Sequence, residues 1–236
     1  MAKRSGVMST ISLLGSLSGM AAVYIFLLRP WHLRWGANAT EAAQTLPGDE
    51  LIPAPRLNAT HAITIYAPVE HVWPWLVQIG QGRGGFYSYD WLENLLGLKI
   101  HSAERILPEH QGLKVGDLIP LAPNGFGIPV ALLEPYRMLV LRGDTRLDQA
   151  ASGMAVAGGY LATTWGWYLQ ALDRRTTRLV ERFRCEWNPS LANQVMMRLI
   201  MEPGSFIMER KMLLGLKERA EHRAPGYIEL EQEIGL

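Results

Sequence analysis

The chain has 236 residues, 48% of them hydrophobic and 19% charged, which is enough for one sizeable core and too short to require two. A formal net charge of +1 gives no electrostatic reason to expect nucleic-acid binding, which needs a concentrated basic surface. Cys185 is the single cysteine, so no intrachain disulfide forms, and a lone thiol fits a reduced compartment.

Residues 7–28, VMSTISLLGSLSGMAAVYIFLL, carry no charge and give about 33 Å of helix, the thickness of a bilayer's hydrocarbon core. The run is long for the apolar region of a cleavable signal peptide, about 7–15 residues. Arg29, Pro30 and Trp31 close it, and Tyr24, Trp31 and Trp35 suit an interfacial aromatic belt. The expectation is a retained single-pass anchor over residues 1–35. Basic residues at both ends leave its orientation open, with a cytoplasmic placement of the remaining chain as the working expectation.

Residues 36–57 are polar and proline-bearing, a linker or a surface-hugging arm. THAITIYA, residues 60–67, reads as a short strand. Val69, Val72, Trp73, Leu76 and Val77 then recur with helical period, so a helix is predicted over 68–79, with Pro68 in its first turn, Pro74 as a kink and Gly80 at the left-handed cap. The following Gly80-x-Gly82-x-x-Gly85, with Glu104 downstream, spells a dinucleotide-binding fingerprint. That fingerprint requires a strand before the glycines, and a helix stands there instead. The dinucleotide reading is set aside and no cofactor is expected. A second short helix is predicted from Tyr89 through Leu96, stopping at Gly97.

Beyond this the period changes to two. Segments 113–121, 128–143, 163–173 and 177–187 read as antiparallel strands, with tight turns at 134–137 and 173–176. In the last strand Leu179, Phe183, Cys185 and Trp187 share a core face, while Arg178, Arg182, Arg184 and Glu186 share a face expected to be wet. Residues 147–159 read as a long loop. The C-terminal helices are expected to break at Pro203-Gly204, and residues 223–236 form a tail. The fold class is therefore α+β, with a long C-terminal helix across a curved antiparallel sheet.

That order, with ITIYAPVEHVWPWLVQIGQGRGGFYSYDWLENLLG and the terminal IMERKMLLGLKERAE, resembles the START-like superfamily of helix-grip proteins, the polyketide cyclase, dehydrase and lipid-transport group abbreviated SRPBCC. The phrase APVEHVWPWLVQIG is the recognisable element, and the resemblance covers about Leu57 to His222, a domain over 58–222. It implies a bent sheet gripping the C-terminal helix, with a cavity between them for a lipid or another hydrophobic small molecule. No catalytic residue is carried over from it, since the fold alone fixes no chemistry.

Polar groups concentrate beside aromatics between Gln78 and His101. Tyr87, Asp90, Glu93 and His101 are the candidates for proton transfer, and Gln81, Arg83, Tyr87 and Tyr89 for ligand contact. For Arg83 two readings stay open: a fork for a carboxylate or phosphate headgroup, or an ion pair with Asp90 or Glu93. Trp165, Trp167, Glu181 and Phe183 alternate towards the implied cavity, where Glu181 requires a partner. The histidines show no close pairing with Cys, Asp or Glu at metal-ligand spacing, so no metal is expected. Three functions stay open: a membrane-anchored domain that binds or transfers a hydrophobic molecule, a cyclase- or dehydratase-type enzyme, and an accessory subunit bound to a membrane-protein partner.

Overall fold

A computed structural model describes residues 23–148 and 159–222. The chain enters through a π-helical turn, Tyr24–Leu28, that runs unbroken into α1 (Arg29–His32). A short α2 (Ala39–Ala43) follows, its start held by a reciprocal capping box between Asn38 and Glu41. Next come β1 (Leu57–Ile65), α3 (Val69–Val77) and α4 (Asp90–Leu95). The strands β2 (Leu118–Pro120), β3 (Gly127–Glu134), β4 (Met138–Asp144), β5 (Leu161–Asp173) and β6 (Thr176–Trp187) complete the sheet. The chain then forms α5 (Leu191–Met196), a π-helical turn Met197–Met201, and the long α6 (Glu202–Glu221).

The six strands lie in the order β1-β6-β5-β4-β3-β2, every neighbouring pair antiparallel. The short links predicted at 134–137 and 173–176 join β3 to β4 and β5 to β6. The one long return is that of β1, which pairs with β6 from Leu57 opposite Cys185 to Ile65 opposite Thr177. On the inner face Met212, Leu213 and Leu216 of α6 join Ile65, Trp167, Leu179 and the apolar side of α3 in one core cluster. A long helix held on an antiparallel sheet fits a helix-grip arrangement.

Two details depart from the sequence reading. The outer face of β6 is not wet. Residues 36–57 run across it, and Arg182 and Arg184 are buried there. Asp49 accepts both guanidinium groups, at 3.2 Å from Arg182 and 3.0 Å from Arg184, and Arg178 pairs with Glu41 at 2.7 Å. Carbonyls of Glu41, Gln44 and Ile52 take further arginine N–H groups, so the guanidinium groups are paired and hydrogen-bonded by the arm instead of by water. The second departure is at Pro203. No break occurs there, because the preceding π turn bonds Glu202 N–H to the carbonyl of Met197, shifting the register so that the proline falls in the first turn of α6.

Among the described residues no helix is long and apolar enough to cross a bilayer. Of the expected span 7–28, residues 7–22 lie outside the described residues, as do most of the predicted loop 147–159 and the tail 223–236.

Candidate functional site

The glycine segment is a structural turn. α3 ends at Gln78, and the chain closes a small loop in which Gly80 and Gly85 exchange backbone hydrogen bonds of 2.9 and 3.0 Å. Gly85 has φ +72°, and a Cβ there would stand 2.7 Å from the His101 carbonyl oxygen, so the position requires glycine on both counts. Among the described residues Arg83 pairs with no acid: its guanidinium donates to the carbonyls of Val77, Ile79 and His110 and ties the loop to the end of α3. Gln81 is likewise engaged, through its side-chain amide, with the Lys99 carbonyl.

This loop delivers Tyr87 in a left-handed conformation, φ +56°, unusual for a bulky side chain and held by several contacts at once. Its N–H donates to Ser102 Oγ, its hydroxyl donates 2.9 Å to the Trp75 carbonyl, and the Arg219 guanidinium sits 4.8 Å above its ring. Burial pushes the hydroxyl's pKa up. On the other side Gly215 lets α6 come in close, for a Cβ there would run into the Tyr87 carbonyl.

Between these two elements lies a cleft of about 640 Å³. Its aromatic walls are Trp75, Tyr87, Tyr89 and Trp91; Ser88, Asp90, Ser102 and Glu104 line it from the loop side, and Lys211, Glu218, Arg219 and His222 from α6. Asp90 does not cap α4. Its carboxylate accepts from Ser102 N–H at 2.7 Å and from Ser102 Oγ at 2.6 Å, which stiffens the rim. The structure thus brings Tyr87, Tyr89 and Asp90 together in one cleft, whereas Gln81, Arg83, Glu93 and His101 are not among its lining residues. Glu93 is buried beside Asp90 with one carboxylate oxygen unpartnered, and burial first, then the Asp90 charge, pushes it up to about 7. The contribution of α6 was missed by sequence reasoning. Its signals were the spacing of Lys211, Glu218 and His222 on one helical face and a glycine inside a helix, which marks close backbone approach.

The space between sheet and helix, where the resemblance places a cavity, holds side chains. Trp165 and Trp167 lie tilted against each other with ring centroids 4.5 Å apart, Phe86 and Phe183 flank Trp165, and Trp167 is fully buried among Leu179, Met212 and Leu213. Glu181 is also fully buried, and its partner is not an arginine. The β1–β6 register sets His61 opposite it. His61 Nδ1 lies 3.1 Å from Glu181 Oε2 and 3.2 Å from Glu209 Oε2 of α6, while its Nε2 donates 2.9 Å to the His32 carbonyl. Trp165 Nε1 donates 2.7 Å to the other Glu181 oxygen. Burial alone would lower the imidazole's pKa, but the bonds to Glu181 and Glu209 override it and hold His61 up to about 10. Burial and the Glu209 charge push Glu181 up. Contrary to the sequence expectation, one imidazole and two carboxylates able to hold a metal ion do converge here, from three separate elements.

Beside this centre, Arg29 pairs with buried Glu202 at 2.7 Å, and Phe206 packs between His32 and His61. These contacts dock the π turn and α1 onto the start of α6. The joined surface exposes Ile25, Phe26, Leu27, Leu28 and Trp31 from one segment and Leu191, Val195, Leu199, Ile200, Met201 and Ile207 from the other.

No family model matches the chain, and no curated protein matches it. Among solved structures it is similar to a hypothetical protein of Helicobacter pylori, at 15% identity and TM-score 0.45, covering 78% of this chain and 99% of that one. A conserved protein from Geobacillus kaustophilus aligns at 11% identity and TM-score 0.40, covering 70% and 95%. CalU16 from Micromonospora echinospora aligns at 14% identity and TM-score 0.31, covering 70% and 84%.

Proposed function

We propose that this chain is a membrane-associated, START-like binding domain that holds a small amphipathic molecule in the cleft between Tyr87–Trp91 and α6. The observation that carries the reading is the cleft's lining: four aromatic residues supply apolar area, and Ser88, Lys211 and His222 face the same space with groups able to fix a polar end. With Tyr87 and Asp90 hydrogen-bonded to protein partners, the cleft favours binding over proton transfer by those groups.

Membrane association is supported by the exposed apolar side chains within Ile25–Trp31 and Leu191–Ile207, and by the uncharged run 7–22 that precedes the first of these in the sequence. Large contiguous apolar patches of this kind mark interaction surfaces. The cleft begins near Lys211, about 13 Å along α6 from Glu202, so a molecule leaving the bilayer surface has a short path to it.

Native mass spectrometry after mild detergent extraction tests the proposal. Wild-type protein is expected to retain a small amphipathic ligand more strongly than Lys211→Trp, which removes the ammonium group and crowds that end of the cleft. A ligand-free wild type, or equal retention by the variant, would refute it.

A further inference from the structure

We propose that His61, Glu181 and Glu209 bind one divalent transition-metal ion of the Zn²⁺ or Mn²⁺ class, buried between β1, β6 and α6. The three donor atoms lie within 4.8 Å of one another. For metal–ligand bonds of about 2.0–2.2 Å, neighbouring donors of a tetrahedral site stand about 3.3–3.6 Å apart. The observed separations from His61 Nδ1, 3.1 and 3.2 Å, need to open by only a few tenths of an ångström.

The surroundings are arranged as a metal's outer shell is. His61 Nε2 donates to the His32 carbonyl, which fixes the tautomer that leaves Nδ1 as the ligand. Trp165 Nε1 holds Glu181 Oε1, so that Oε2 is the oxygen presented to the imidazole. Charge points the same way. Two buried carboxylates converge on one imidazole, and among the described residues no lysine or arginine pairs with Glu181 or Glu209. Their burial makes uncompensated charge there costly. A divalent ion held by a neutral imidazole and two carboxylates makes a site of zero net charge. An imidazole with two carboxylates and no thiolate suits Zn²⁺ through its nitrogen and either ion through its oxygens, and offers too few oxygens for calcium.

The test uses the full chain, stripped with chelator and titrated with Zn²⁺ or Mn²⁺ alone. The expected result is one equivalent bound by mass analysis, with Tm rising about 5–10 °C at hundredfold excess over Kd. Trp165→Phe keeps all three ligands and should weaken binding about 10–100-fold. Glu209→Gln should abolish it, and if that variant fails to fold, the wild-type stoichiometry and Trp165→Phe decide. No stoichiometric ion and no thermal response in wild type, or affinity unchanged in Trp165→Phe or Glu209→Gln, would overturn the proposal.

Discussion

Asp49→Asn is the substitution whose cost the structure defines most closely. The Asp49 carboxylate is buried, accepts the Leu46 N–H at 3.0 Å, and is the shared ion-pair partner of Arg182 and Arg184. Asparagine keeps the shape and one acceptor but leaves two buried guanidinium groups without a counter-charge. Removing one partner of a buried ion pair costs about 3–5 kcal/mol. At about 2–4 °C per kcal/mol for a domain of this size, Tm should fall by about 6–20 °C, read by circular dichroism. Arg182→Met is the internal control. It leaves Asp49 paired with Arg184, so its loss should be clearly smaller. The consequence extends to function, because Asp49 pins the arm that joins the apolar entry segment to β1. A Tm for Asp49→Asn within about 2 °C of wild type would show that the arm does not rely on this charge, and the reasoning would fail.

Glu93 gives a pH signature: because its folded pKa is raised to about 7 by burial and then by Asp90, its stabilising contribution is fully present below the unfolded value of 4.5 and is lost as pH rises through about 7. Glu93→Gln should therefore gain Tm relative to wild type between pH 5 and 8, and a constant difference would contradict the assignment. Gly215→Ala should loosen α6 from Tyr87 at a cost of about 1–3 kcal/mol by urea unfolding. In a chain starting at Val23, Leu199→Glu with Ile200→Glu forfeits about 3 kcal/mol of apolar insertion even at the low end, so vesicle co-sedimentation should weaken roughly a hundredfold without a fall in Tm; unchanged sedimentation would remove these residues from the membrane-facing surface.

Local patterns in the sequence identify local structure well here. The 3.6-residue period of Val69–Val77 places α3 and thereby rejects the dinucleotide reading of the glycines, and the two tight turns and alternating strands place β3 to β6. What stayed hidden depends on partners distant in the chain. His61 and Glu181 are 120 residues apart and meet only through the β1–β6 register, with Glu209 arriving from a helix. Strand alternation correctly separates the two faces of β6, yet cannot show that the arm covers the arginine face. Pro203 reads as a helix breaker because nothing in its own neighbourhood announces the π turn that accommodates it. In the candidate site, Tyr87, Tyr89 and Asp90 were visible as aromatic and polar residues beside a glycine turn. Lys211 and Arg219 were not, since which face of α6 meets that turn is decided by packing at Gly215.

Photo-crosslinking with a diazirine-bearing dodecyl probe, followed by peptide mapping, distinguishes the cleft from the space inside the grip. The account predicts adducts on the peptides carrying Tyr87–Trp91 and Lys211–His222, suppressed by Lys211→Trp. Adducts concentrated instead on β5 and β6 around Trp165 and Phe183, or no saturable labelling at all, would contradict it.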